Sequence, residues 1–422
     1  MKKILFILFI FILNINKAQN LYSIEIKDVN VIDVVKGKII AHQNVYIQDQ
    51  LIAKVVPANK KYPAKESIDG SGKFLSPGFW DMHTHNWWNI HFSEDYIQNG
   101  VLGVRNMYTP MAFVNPLKDS IQKGLLNGPY YYAAGRVLEG SKPEFPDWLV
   151  IDSTHKISAA LDTLQKEKSD FIKVYNKIPK VVYVELMKQA KARGMRVEGH
   201  LPMEVSATEA SQLGQRSFEH LLGVPDLCSH DNLFKEKHNN NWFAAIMKED
   251  GYANMTIDEK LAKKQFSILA KNNTYVCPTL VVLYNYFHPD TLFETNPLLQ
   301  KYPTDMQNFW KGEVEKYRKK DAAYKLTAAK KYENLKKIVY LLYKYKVPML
   351  TGTDVINPYC YPGYSLHQEF QLLSECGIPN DEIIKMATIN AAQFIGLNQY
   401  GSIKTGNIAS LVLLNGKVIE VK

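Results

Sequence analysis

Residues 74–85 read FLSPGFWDMHTH, and the rest of the chain is read outward from them. The stretch starts apolar, turns at Pro77–Gly78 and ends in Asp81-Met-His83-Thr-His85. Residues two apart on an extended strand project from the same face, so His83 and His85 can address one point between them. A divalent metal is the usual reason for such a pair, because neutral imidazole is its commonest protein ligand. Two histidines alone carry little weight. The reading depends on partners at the ends of other strands.

Eight strand-like runs are separated by helical or longer connections. They are Phe74–His85, Leu102–Asn106, Tyr130–Gly135, Phe171–Tyr175, Arg196–His200, Arg216–His220, Thr274–Thr279 and Val347–Asp354. Helical patterns such as KVVYVELMKQAKARG from Lys180 and PLKDSIQKGLLNG from Pro116 lie between several of them. Repeated strand–helix alternation of this length predicts a (β/α)8 barrel over residues 74–396. Two long insertions, 221–273 and 280–346, are expected to lie over its mouth as lids. They carry Trp242 and Trp310, for which helix packing is the preferred role over ligand contact.

Both ends of the chain read as short strands: YSIEIKDVNVID and GKIIAHQNVYIQDQLIAKVV before the barrel, GSIKTGNIASLVLLNGKVIEV after it. Together, residues 19–73 and 397–422 are expected to form a small β-sandwich. The chain has 422 residues and 46% hydrophobic content, enough for one large domain and this smaller one. At the start, Lys2 and Lys3 precede an apolar run from Ile4 to Leu13. This reads as a secretory signal over residues 1–18, too short for an ordinary membrane span, so export to the periplasm or the exterior is expected. With no second spanning segment and no cysteine after the apolar run, no stable membrane anchor is expected once the signal is cut.

Formal charge is +9, and the signal's three lysines account for part of it, leaving +6. Much of the surplus falls in Lys311–Lys346, read as a solvated helix face. No Arg-rich stripe or nucleic-acid motif accompanies it, so nucleic acid is not an expected partner. Cys228, Cys277, Cys360 and Cys376 form no CxxC, which argues against a structural zinc knuckle, and their spacing selects no disulfide pairing. Nothing in the sequence selects an oligomeric state.

In a (β/α)8 barrel, chemistry sits at the C-terminal ends of the strands. Here those ends carry His83 and His85, Lys173 in FIKVY, His200 in RVEGH, His220 in RSFEH and Asp354 in LTGTD. A lone histidine at a strand end is usually structural. Five such positions in one chain point to a site.

These residues resemble the amidohydrolase superfamily of metal-dependent hydrolases. The resemblance covers nearly the whole mature chain, through SPGFWDMHTH, GVLGVRNM, VEGHLP, RSFEHL, CPTLVV, LTGTD, MATINAAQFIGL and GSIKTGNIASLVLL. One departure is Ser410 after Ala409, where the family usually has Asp. FIKVY and VEGHLP look closest to the imidazolonepropionase-like and prolidase-like branch. The resemblance implies that His83, His85 and Asp354 hold one metal, that His200 and His220 hold a second, and that Lys173, carbamylated by CO2, bridges them. Ligands of N and O type suit Zn2+, Mn2+, Co2+ or Fe2+. A metal-bound hydroxide would attack the substrate and Asp354 would shuttle the proton. The expected substrate is a small molecule with an amide or other C–N bond, a dipeptide or N-acyl amino acid from the branch resemblance.

Three further residues are candidates for substrate contact: Tyr175, two residues after Lys173, and Arg105 and Arg136 at the ends of the second and third strands. Either arginine would suit a substrate carboxylate, but a structural ion pair is the preferred role for each. Trp87 and Trp88 follow the histidine pair and are expected to wall the pocket. Other classes fit parts of the pattern. A lactonase or phosphotriesterase would use the same ligands. A one-metal deaminase would need an acid such as Glu198, and an exported solute-binding protein would need no complete ligand set.

Overall fold

A computed structural model of the chain describes residues 21–87, 90–231, 251–288 and 295–415. The signal segment 1–18, Trp88 and Trp242 lie outside the described residues.

The N-terminal strands are β1 (Tyr22–Asp33), β2 (Lys38–Gln48), β3 (Leu51–Pro57), β4 (Ala64–Asp69) and β5 (Phe74–Pro77). With a C-terminal strand, Leu411–Leu414, they make one six-stranded sheet. β1 sits centrally, antiparallel to β2 and parallel to β4 and β5, and the C-terminal strand runs antiparallel along β5 with Leu413 opposite Leu75. Ile26, Val29, Val31, Val45, Ile52 and Leu75 are its buried core, against which Leu411 and Leu413 pack. The two chain ends therefore share an apolar face, as their patterns imply. Among the described residues the strands of both ends are hydrogen-bonded into one six-stranded sheet.

The deciding stretch is two strands, not one. β5 belongs to the small sheet, and β6 (Phe79–His85) starts the main body. The break is at Gly78, whose amide donates to Ser410 O at 2.9 Å. A Cβ at Gly78 would lie 2.6 Å from Leu102 Cδ1, so only glycine lets the two sheets approach here. Ser410 uses its backbone for this bond.

The main body has mixed α/β content. β6, β7 (Val101–Tyr108) and β8 (Tyr130–Ala133) form one parallel sheet. β9 (Val137–Glu139), β10 (Leu149–Val150), β11 (Ile172–Val174) and β12 (Val197–Gly199) form a second, in the order β10-β9-β11-β12. β13 (Ser217–Glu219) and β14 (Tyr275–Cys277) form a third. Single backbone bonds join them, Asp170 N to Ala133 O and Arg216 N to Val197 O, each 2.8 Å. They are separate sheets, and most strands are shorter than the apolar runs that mark them. C-terminal to them, Leu411–Leu414 completes the set as β15.

The eighth expected strand, Val347–Asp354, is not a regular strand. It makes only isolated bridges, Met349 to Val276 and Val355 to Thr84. Pro348 lacks an amide donor, and Asp354 turns into the left-handed region at φ 59°, so the ladder cannot continue. The segment still lies between β14 and β6: Leu350 N reaches Val276 O at 3.0 Å, and Met82 N reaches Thr351 O at 2.8 Å.

Helices connect the strands, among them Met111–Gln122, Ile157–Lys166, Lys180–Ala192, Ala207–Leu213 and Glu259–Lys271. The first starts well before Pro116 and contains it. The insertion 280–346 folds into Leu280–Phe287, Thr304–Arg318 and Ala322–Lys344. Several of its side chains are buried in the main apolar cluster, among them Leu283, Met306, Trp310 and Leu335. Trp310 is fully buried, and its Nε1 donates to Ile356 O at 2.8 Å, which pins the segment just after Asp354. All four cysteines are buried and free. Among the described residues, no helix is long and apolar enough to cross a membrane.

Candidate metal centre

β6 alternates as its sequence requires. His83 and His85 face inward together, and Asp354 closes on both, its Oδ1 lying 3.4 Å from His83 Nε2 and 3.3 Å from His85 Nε2. His220, just past β13, brings its ring to 4.4 Å from that of His83 and 5.0 Å from that of His200. His83, His220 and Asp354 offer ligand atoms all within 4.8 Å of one another. Two of these residues sit in left-handed backbone, His220 at φ 57° and Asp354 at φ 59°. Such conformations cost non-glycine residues of order 1 kcal/mol or more, and they collect where a side chain must be aimed against the local preference.

Each histidine is held through Nδ1. His83 Nδ1 lies 2.8 Å from Glu219 Oε2, and His85 Nδ1 lies 3.3 Å from Tyr108 O. His200 Nδ1 lies 3.0 Å from Asn176 Oδ1, and His220 Nδ1 lies 2.7 Å from Thr279 Oγ1. For His83, His85 and His200 the partner is a carboxylate or carbonyl oxygen, which can only accept, so Nδ1 carries the proton and Nε2 keeps its lone pair; the Thr279 hydroxyl beside His220 can donate or accept. This is the outer-shell arrangement that orients metal-binding imidazoles. Burial also favours the neutral form of three of them: the pKa values of His83 and His200 fall well below the usual histidine range, and that of His220 is lowered as well. Burial acts against ionisation of Asp354, but His220, His85 and Lys173 outweigh it and hold its carboxyl below the ordinary value.

Lys173, in the middle of β11, is buried, and burial brings its pKa down to about 8. Among the described residues its Nζ has no hydrogen-bond or ion-pair partner. The space beside it is kept by Gly199, where a Cβ would lie 2.6 Å from Lys173 Cδ. An unpartnered amine in such a place is costly. A group that converts it to an anion shared by neighbouring cations would remove the cost. The neutral imidazoles, the ionised carboxylate and the buried amine together fit divalent ions well.

Beneath the histidines lies a network that strand-end reasoning does not find. Arg105, completely buried on β7, donates from Nη2 to both oxygens of Glu219 at 2.9 and 2.8 Å, and from Nη1 to Glu198 at 2.8 Å. Tyr132 adds a bond to Glu198 at 3.0 Å. Arg105 is therefore not a substrate-carboxylate clamp. It neutralises the two acids of β12 and β13, one of which holds His83. Arg136 is also otherwise engaged, with Nη2 2.7 Å from Glu167 at the end of Ile157–Lys166. Asp81 braces the same region, accepting from Thr353 Oγ1 at 2.6 Å and Thr353 N at 3.0 Å, and burial raises its pKa to about 7. Trp87 packs away under the insertion, donating to Asp305 at 3.2 Å. Tyr175 does reach the site, stacking on His200 at 4.1 Å.

Glu219, Asn176, Thr279 and Asp81 each stand within three residues of a candidate ligand or inside a quoted motif, which is the one sequence signal they carry. The buried pair sets a testable energy. Arg105→Met leaves two carboxylates uncompensated, and unfolding free energy should fall by about 3–5 kcal/mol in urea titration. A loss under about 1 kcal/mol would mean that Glu198 and Glu219 are protonated in the fold and need no cation.

The chain matches the model of the amidohydrolase family over residues 74–422 and belongs to that family. It is a hydrolytic enzyme acting on C–N bonds. Similar solved structures include a bottromycin amidohydrolase, at TM-score 0.73 and 21% identity over 92% of this chain and 81% of that one. A Xaa-Pro dipeptidase with methionine bound in its active site matches at TM-score 0.65 and 18% identity, over 93% of this chain and 94% of its own. The ochratoxinase of A. niger matches at 0.66 and 15%, over 94% and 91%. At these identities the likeness is one of fold. No curated protein matches the chain in sequence.

Proposed function

We propose that this chain is an exported, binuclear metal-dependent amidohydrolase on a (β/α)8 barrel, cleaving the amide bond of a dipeptide or N-acyl amino acid. The observation that carries the reading is the gathering of His83, His85 and His220 on Asp354, with His200 against His220 and the buried Lys173 amine close enough to act on Asp354. His83, His85 and Asp354 would hold one ion and His200 and His220 the other, Zn2+ first, with Mn2+, Co2+ or Fe2+ suited to the same donors. Such ions lower the pKa of a water toward about 7 and polarise a substrate carbonyl.

The chain's own groups do the rest. Lys173 Nζ adds to the carbon of CO2; an N–C bond forms, one C–O π pair moves to oxygen and a proton leaves, giving an anion with two donor oxygens. Asp354, ionised and next to both histidines of β6, takes the proton of the attacking water and returns it to the departing amine nitrogen. Glu219 keeps His83 in one tautomer throughout. Glu198 is the acid that a one-metal deaminase would need, and it is bound between Arg105 and Tyr132, so the amide reading is favoured over that one. A lactone or phosphotriester substrate would use the same ligands, and a substrate screen separates them.

The test is chelation. Treatment with a strong chelator should abolish hydrolysis of an amide panel and lower the thermal midpoint, and Zn2+ or Mn2+ should restore both. Activity and melting that ignore the chelator would contradict a metal centre. Export is tested separately: the soluble, active protein should begin at or near Gln19, and recovery of Met1 at its N-terminus would contradict a cleaved signal.

A further inference from the structure

A run of aromatic rings crosses the site from one candidate ligand to another. Tyr108 ends β7 beside His85, its ring centroid 6.5 Å from the imidazole. Phe145 and Trp148, from the loop between β9 and β10, lie 5.2 and 5.6 Å from Tyr108. Trp148 is 4.7 Å from Tyr175, which stacks on His200. Trp148 is buried, and the four rings pack on one another apart from the main apolar clusters of the fold. Phe145 is 39% exposed, so its ring is accessible to a ligand.

The same loop supplies acids. The Tyr175 hydroxyl donates to Glu144 at 3.1 Å and the Tyr108 hydroxyl to Asp147 at 2.6 Å. Asp147 Oδ2 is buried with no protein partner. At the root of the loop, Glu139 is fully buried; its Oε1 accepts from Gly140 N and Lys177 N, and its Oε2 has no partner. Three neighbouring cations are engaged elsewhere: Lys177 Nζ on the Lys142 carbonyl, Arg105 on Glu198 and Glu219, Arg136 on Glu167. Ring faces are electron-rich, and carboxylates that accept from phenols increase that character. Such a surface attracts a cation and repels an anion.

We propose that Tyr108, Phe145, Trp148 and Tyr175, with Glu144 and Asp147, form the subsite for the group flanking the scissile bond, and that this group is cationic: an alkylammonium or guanidinium, as on a lysine or arginine side chain. The proposal rests on the amide-hydrolase reading and names its substrate class. Arg105 and Arg136 are held in ion pairs, so neither offers a carboxylate clamp to compete with it.

The test compares matched dipeptides carrying lysine, norleucine or glutamate at the same position, with the metal-loaded full-length enzyme. Norleucine keeps the aliphatic stem and removes the charge. Lysine should exceed norleucine in kcat/KM by about tenfold or more, with glutamate the poorest. In Glu144→Gln, a change at an exposed loop position, the lysine-to-norleucine ratio should fall toward one; Trp148→Leu should do the same. Calorimetric titration with lysinamide and norleucinamide gives a readout that needs no turnover. If no dipeptide is cleaved but lysinamide binds about tenfold tighter than norleucinamide, and Glu144→Gln removes the difference, the subsite stands and the amide reading falls. Equal or better turnover of the norleucine or glutamate dipeptide, with lysinamide binding no tighter than norleucinamide, overturns the subsite and leaves the amide reading in place.

Discussion

Lys173→Ala should drop bound metal from about two ions per chain to one or none, and turnover should fall by more than the ~10²-fold that loss of an outer-shell partner costs. The amine is buried at the centre of β11 and has no partner among the described residues. Left as an ammonium it would face two cations; as a carbamate it supplies two donor oxygens between them. The variant should fold, because Lys173 Nζ makes no hydrogen bond among the described residues whose loss would strand a buried partner. Formate, acetate or propionate should restore part of the activity by filling the bridging position, and bicarbonate should matter to the parent protein but not to the variant. A parent protein fully active with one ion, and unchanged by Lys173→Ala, would move the site to a mononuclear mechanism.

Asp354→Asn is the second large effect. Asparagine keeps an oxygen where Asp354 Oδ1 now stands 3.4 and 3.3 Å from His83 and His85, but it cannot accept and return a proton at neutral pH. Much of the metal should be retained while kcat falls by more than the ~10²-fold expected from general-base removal alone. KM should move less than kcat, which separates lost chemistry from a distorted pocket. Near-parental turnover would assign the base to another group.

How much of this could be read beforehand follows from which interactions are local. His83 and His85 are legible because a strand has period two. Lys173, His200, His220 and Asp354 are legible because apolar runs end in polar residues. The break at Gly78 is not, because its cause is the Leu102 side chain on a neighbouring strand. The loss of a regular eighth strand is half legible: Pro348 is visible in the sequence, but the left-handed turn at Asp354 is not. Arg105 is the clearest limit. Its partners Glu198 and Glu219 are 93 and 114 residues away, and a strand-end arginine looks alike whether it faces a substrate or an interior acid. The aromatic run has the same character, since Tyr108, Trp148 and Tyr175 come from three separate strand ends and meet only in the fold.

The central claim is that these six residues hold two ions. It is tested most directly by anomalous diffraction from crystals of protein prepared with Zn2+ and bicarbonate. The account predicts two peaks per chain, one contacted by His83, His85 and Asp354 and the other by His200 and His220, with extra density on Lys173 Nζ between them. A single peak with an unmodified Lys173, or no ordered ion at these residues, would contradict it.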